Sequence, residues 1–150
     1  MDERTRAFLE NNHAAAMITL RKDGTPHTAR VGVALVDGKL WSSGTQTRLR
    51  TKHLRRDPRC TLFVFPTAGA EAVWQWLALE TTVTILEGDE APQLNLRLMR
   101  EMQRGMTPAP EPGKVVWFGQ QLTEAEFLVR MVQEQRLVYE FGVTRTYGMF

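Results

Sequence analysis

The chain has 150 residues, 43% of them hydrophobic and 24% charged, with a formal net charge of +2. That is enough for one domain with a real core, expected to span residues 1–150, and no apolar run approaches the roughly 20 residues of a membrane span. The near-balanced charge gives no argument for a nucleic-acid partner, and a single cysteine, Cys60, rules out an internal disulfide or a thiolate metal cluster.

The N-terminal run MDERTRAFLENN is charged and lacks a signal-peptide core, so a cytoplasmic location is expected. Thr5 to Asn12 reads as a short helix carrying Phe8 and Leu9. Ala14–Leu20 is an apolar strand, Lys22-Asp23-Gly24 a hairpin turn, and Pro26–Val36 one long strand with Val31, Val33 and Leu35 on a shared face. Asp37-Gly38 is a second tight turn into a strand over Lys39–Ser43, so three strands are expected to form a meander. A helix follows from Thr47, its expected N-cap, and stops before Pro58.

Cys60–Pro66 is apolar throughout and reads as a strand buried on both faces, with Cys60 a small core residue. A loop over Thr67–Ala72 leads to a fifth strand, Val73–Leu86. Leu94, Leu98 and Met102 share a helical face within Ala91–Arg104, and the stretch Met106–Gly113 is irregular. Thr123 and Glu126 form a capping box for a helix to about Gln135, and Arg136–Val143 is the sixth strand. Six mostly antiparallel strands with inserted helices predict a mainly β fold, a small β-barrel decorated by helices. The long strands carry more apolar face than one such barrel covers, which points to a homodimer.

The segment LWSSGTQTRLRTKHLRRDPR concentrates the chemistry. Arg48, Arg50, Lys52, Arg55, Arg56 and Arg59 stand against one acid, Asp57, directly after a strand that delivers Ser42, Ser43, Gly44 and Thr45. Backbone N–H groups, hydroxyls and guanidinium forks at a helix start suit a phosphate or carboxylate. Arg48 and Arg50 sit where the helix dipole already disfavours cations, and a bound anion would offset that repulsion. Arg55, Arg56 and Arg59 lie at the helix end, where a solvated cationic face is reason enough for them. Trp41, Trp74, Trp76 and Trp117 could stack on a flat ring or simply pack; Trp74 and Trp76 are two apart on a strand, hence on one face. His13, His27 and His53 share no metal-ligand spacing, so no metal is expected, and no nucleophile–base pair is evident.

The order of elements, D-G-x-P before the long strand, and HLRRDPRCTLFVF after the basic helix together resemble the split β-barrel flavin-binding superfamily that includes pyridoxamine 5′-phosphate oxidase. Within it the chain is most similar to small flavin/deazaflavin oxidoreductases, many of which use coenzyme F420. The resemblance implies a homodimeric, six-stranded split barrel holding F420, or alternatively FMN, at the subunit interface. It places Ser42, Ser43, Gly44 and Thr45, with Trp41 beside them, around ring and ribityl chain. Arg48, Arg50 and Lys52 would contact the phosphate, and Trp76 or Trp74 the partner's cofactor. Arg50 stands where relatives often have lysine, and His53 where they commonly have asparagine. The ending EFGVTRTYGMF lacks the R-L-x-x-R motif of the oxidase members, and the insert Gln103–Gln121 is atypical.

The implied reaction is hydride transfer from reduced deazaflavin to an unsaturated organic acceptor, with no catalytic residue assigned; Arg30, Tyr139, Tyr147 or solvent could supply the proton. Lys52, Arg55 and Arg56 would suit the longer anionic tail of F420. Against this stand an FMN-dependent oxidoreductase of the same fold and a non-catalytic carrier of F420, FMN or haem.

Overall fold

The computed structural model describes residues 1–69 and 72–150. Its elements in chain order are α1 (Glu3–Asn11), β1 (Ala14–Leu20), β2 (Pro26–Gly32), β3 (Ala34–Val36), β4 (Lys39–Thr45), α2 (Leu49–Arg56), β5 (Arg59–Phe65), β6 (Trp76–Leu86), α3 (Ala91–Met102), β7 (Lys114–Trp117), β8 (Gln120–Thr123), α4 (Glu124–Gln133) and β9 (Arg136–Met149). Seven strands form one antiparallel sheet in the order β2-β1-β5-β6-β9-β4-β3, and β7 pairs with β8 in a separate hairpin.

The edge strands β2 and β3 are joined by Val33 alone, so the sheet must curl until its two edges meet. The closure is sealed where the Ser42 hydroxyl donates to the Gly32 carbonyl at 2.7 Å and Val33 N–H donates to the His13 carbonyl at 2.8 Å. This geometry corrects the expected unbroken strand over 26–36. Its first part pairs with β1 and its last with β4, and β2 and β4 share no ladder, so the three-stranded meander does not form. Val31, Val33 and Leu35 nevertheless do turn to one side, the interior of the curl.

Two apolar clusters follow from the curl. Leu9, Met17, Val33, Leu40, Leu62, Leu79, Leu137 and Tyr139 fill its interior, while Ala34, Trp41, Leu98, Phe127, Met131 and Val138 pack between the sheet and the outer layer of α3, α4 and the β7–β8 hairpin. Strand β4 separates the two, which is why both of its faces are buried.

Other bounds shift for local reasons. Asp2, whose carboxylate accepts from Thr5 N–H at 2.7 Å, caps α1 earlier than expected. Thr47 is not the cap of α2: Arg48 occupies that position and its side chain makes no capping bond. Strand β5 alternates buried and open positions instead of being buried on both faces, leaving Phe63 37% exposed. Trp74 precedes β6 and so does not share a strand face with Trp76. The expected loop over 67–72 includes Ala70 and Glu71, which lie outside the described residues.

Helix α3 ends at Met102, two residues short of the expected Arg104. The capping box of α4 forms as expected, with Glu126 N–H to Thr123 Oγ1 at 3.2 Å and the return bond at 3.0 Å. Strand β9 runs six residues past Val143, because β6 continues alongside it to Trp76↔Met149. Inside the atypical insert, Phe118 and Gly119 both take left-handed backbone angles (φ 46° and 78°), which turns β7 into β8 as a two-residue hairpin.

Candidate functional site

The site is built where β4 hands over to α2. Ser42 and Ser43 point to opposite sides of β4: the Ser42 hydroxyl bridges the barrel closure, and Ser43 donates to Asn95 of α3 at 2.6 Å. Gly44 has a steric reason, because a Cβ there would run into the ring of Tyr139. That ring reaches under α2, and its hydroxyl bonds the Thr51 hydroxyl, which donates to the Thr45 carbonyl at 2.6 Å. This relay fixes the start of α2 against the end of β4. The helix begins with no acidic residue in its first turn and no side-chain cap, so its leading N–H groups keep their positive field.

Two cavities of about 690 and 650 Å³ meet at this junction, and Arg48, Arg50 and Arg136 line both. Arg136 arrives through sheet register, lying directly opposite Thr45 across the β4–β9 ladder. Its guanidinium is nearly buried, bonds the Glu134 carboxylate at 2.8 and 2.9 Å, and lies over the Trp117 ring at 4.8 Å. Arg48 and Arg50 make no ion pair among the described residues. Burial pushes the Arg50 pKa below its ordinary value; the Tyr139 hydroxyl opposes the shift, and the positive charges of Arg48 and Arg136 add to it. Among the described residues two buried side-chain polar atoms have no hydrogen-bond partner, Arg50 Nε and His27 Nδ1. Both residues line the second cavity. A buried donor left unpaired costs about 1–3 kcal/mol, so the pair marks a place prepared for an external acceptor.

The larger cavity is lined on one side by Gly32, Ser42 and Ser43, and on the other by Met99 and Met102 of α3 and by Trp117 and Phe118 of the hairpin. Arg30 and His13 line it too, and His13 Nδ1–H donates to the Val33 carbonyl at 3.0 Å.

The structure thus gathers Ser42, Ser43, Arg48 and Arg50 around one cavity and Thr45, Arg48 and Arg50 around the other. Gly44 lies beneath them against Tyr139. Trp41 is turned away into the outer core, its Nε1–H on Glu140 at 2.8 Å. Lys52 is exposed and lines neither cavity. Trp76 lies elsewhere, stacked on Phe63 with ring centroids 5.3 Å apart. Arg55 pairs with Glu87 at 2.9 Å and Gln46 at 2.8 Å, Arg56 bonds the Leu20 carbonyl, and Arg59 bonds Asp57 at 2.7 Å. Of the proton-donor candidates, Arg30 faces the larger cavity, Tyr139 is fully buried, and Tyr147 sits beside Trp76.

Sequence reasoning missed Arg136, His27 and Phe118 as site residues. Nothing local marks Arg136 or His27, since register and closure bring them in. Phe118 had a signal: F-G between VVW and QQL is a hairpin turn with an unusual first residue.

The pyridoxamine 5′-phosphate oxidase family model matches residues 1–128, and the chain belongs to that family. Among solved structures it is similar to the conserved hypothetical protein Rv2991 from Mycobacterium tuberculosis (TM-score 0.71, 21% identity, covering 99% of this chain and 84% of that one). It is also similar to an F420 reductase (TM-score 0.67, 17% identity, 98% of each chain). A third is a FAD-binding protein from Mesorhizobium loti (TM-score 0.62, 13% identity, 99% and 94%). These likenesses establish the fold, a curled antiparallel sheet with four helices. No curated protein sequence matches the chain.

Proposed function

We propose that this protein is an oxidoreductase that holds coenzyme F420 at the β4–α2 junction and passes hydride to an unsaturated organic acceptor. The observation that carries the reading is the meeting of Arg48, Arg50 and Arg136 at two cavities, with Arg50 Nε buried and unpartnered. Arginine forks of this kind bind phosphate bidentately, and α2 adds its positive end. Membership of the family and the likeness to an F420 reductase support the same reading. When bound, the reduced deazaflavin supplies the hydride. The chain's own part is to anchor the phosphate on Arg48, Arg50 and Arg136, to present the Ser42–Ser43 edge to the rest of the cofactor, and to exclude water with the Met99–Trp117 wall.

FMN is the second reading, favoured by a specific observation. Arg55 and Arg56, which would suit the longer tail of F420, are already engaged with Glu87, Gln46 and the Leu20 carbonyl. The active unit in this reading is a homodimer joined through the β5–β6–β9 face. Phe63, Ala78 and Tyr147 are in register across those strands, and Trp76 lies opposite Met149, which puts one set of apolar side chains on a single open face.

A thermal-shift comparison of F420 with FMN, together with visible spectra, tests the assignment. A ligand at 100 times its Kd adds about 2.7 kcal/mol, which corresponds to about 5–10 °C for a chain of this size. Stabilisation by F420 and not FMN is expected. The reverse result selects the second reading, a Soret band points to a haem carrier, and stabilisation by none of these removes the assignment.

A further inference from the structure

The wall of the larger cavity formed by the β7–β8 hairpin has no explanation in folding. Phe118 is 80% exposed, and its backbone sits in the left-handed region, where this turn favours asparagine or glycine. An exposed ring in an unfavourable conformation does nothing for the core, yet it is held firmly. Trp117 packs edge-on against it with centroids 4.8 Å apart, and against Phe127 at 5.6 Å on the core side. The amide of Gln103 clamps the Val116 backbone from both directions, donating to its carbonyl at 2.7 Å and accepting from its N–H at 2.9 Å. Trp117 Nε1–H donates to Glu134 at 3.2 Å, tying the hairpin to the carboxylate that also holds Arg136.

The charge of the same cavity is uneven. Arg30 lines it, whereas the smaller cavity shared by Arg48, Arg50 and Arg136 lacks it. No aspartate or glutamate among the described residues lines the larger cavity, and Arg30 makes no ion pair among them. If the other three arginines take the cofactor's phosphate, as the reading above has it, Arg30 is left for a second anion. A volume of about 690 Å³ lies in the middle of the range for small-molecule sites, about 300–1,000 Å³.

We propose that Phe118 and Arg30 form the acceptor subsite, and that it takes a flat, ring-bearing organic anion. The ring lies against Phe118 and the thioethers of Met99 and Met102, which adapt to flat apolar shapes, and the anionic group meets Arg30. Phe118 is thus a specificity residue for the acceptor, and it has no part in holding the cofactor.

The probes are 2-naphthoate, 2-naphthalenemethanol and cyclohexanecarboxylate, titrated calorimetrically into the protein with and without FMN or F420. Naphthoate is expected to bind at least about tenfold tighter than either of the others. Phe118→Ala should weaken naphthoate about 3- to 10-fold, the range of one aromatic contact, and Phe118→Tyr should restore it. Phe118→Asn should lose the same affinity while raising Tm, because asparagine suits the turn. Arg30→Gln should erase the advantage of naphthoate over the alcohol. Cofactor Kd should stay within about twofold in all four variants. Equal binding of the three probes, or naphthoate affinity unchanged in Phe118→Ala and Arg30→Gln, would overturn the proposal. Should neither cofactor bind while naphthoate keeps its dependence on Phe118 and Arg30, the cofactor reading fails and the subsite stands.

Discussion

Replacing Arg50 by methionine separates a ligand anchor from a structural arginine, because the two roles predict opposite patterns. In the free protein Arg50 contributes a cation–π contact 5.9 Å from the Tyr139 ring, worth about 0.5–1 kcal/mol. Against this stand a buried Nε without a partner and repulsion from Arg48 and Arg136, both of which hold the guanidinium below its ordinary pKa. Methionine keeps most of the volume over Tyr139, so these effects nearly cancel, and the free protein's Tm should move by no more than about 2 °C, roughly half a kcal/mol at this size. Binding is another matter. A charge-assisted hydrogen bond lost from a buried site costs about 1.5–3 kcal/mol, or about 10- to 150-fold in Kd. Differential scanning fluorimetry on the free protein and fluorescence titration with F420 and FMN supply both numbers. A Tm loss above about 4 °C with Kd unchanged would refute the reasoning and make Arg50 a structural residue.

Gly44→Ala forces a Cβ into Tyr139 and should cost about 1–3 kcal/mol in urea denaturation; an unchanged midpoint would remove the steric account of that glycine. His53 is buried on Thr19, and desolvation holds its pKa below the ordinary histidine value. The fold therefore favours neutral His53, so its contribution is complete above about pH 6.5 and is lost as acid protonates the unfolded chain. Tm should fall between pH 7 and 5.5, and less steeply in His53→Gln; parallel curves would contradict this. Burial pushes the Cys60 thiol up to about 12, so an aromatic disulfide reagent at pH 8 should label it only after denaturation, and rapid labelling of the native protein would be the contrary result. Phe63→Glu should convert a dimer to a monomer in light scattering, whereas a wild-type monomer would remove the dimeric reading.

What the sequence revealed was local. Asp37-Gly38, the Thr123–Glu126 capping box, the bounds of β1 and the cationic start of α2 all depend on neighbours a few residues apart, and they stand where expected. The remaining differences come from closure of the sheet. Pro26–Val36 carries no local break at Val33; the chain changes partner there because two distant edges meet. Period-2 alternation places Trp41 opposite Leu40, but which side faces helices depends on where α3 docks, and α3 buries Trp41 in the outer core. Arg136 reaches Arg48 and Arg50 only because β9 pairs with β4, a register no short window of sequence contains. The LRR run drew attention to the helix end, although its arginines are satisfied by Glu87, Gln46 and a backbone carbonyl.

The central claim is that a phosphate belongs where β4 meets α2. A crystal structure of the protein soaked with FMN or F420 tests it most directly. The account predicts a phosphate oxygen about 2.7–2.9 Å from Arg50 Nε, with Arg48 or Arg136 closing on the same group. A phosphate found elsewhere, or Arg50 Nε paired with one of the protein's own carboxylates in the complex, would contradict it.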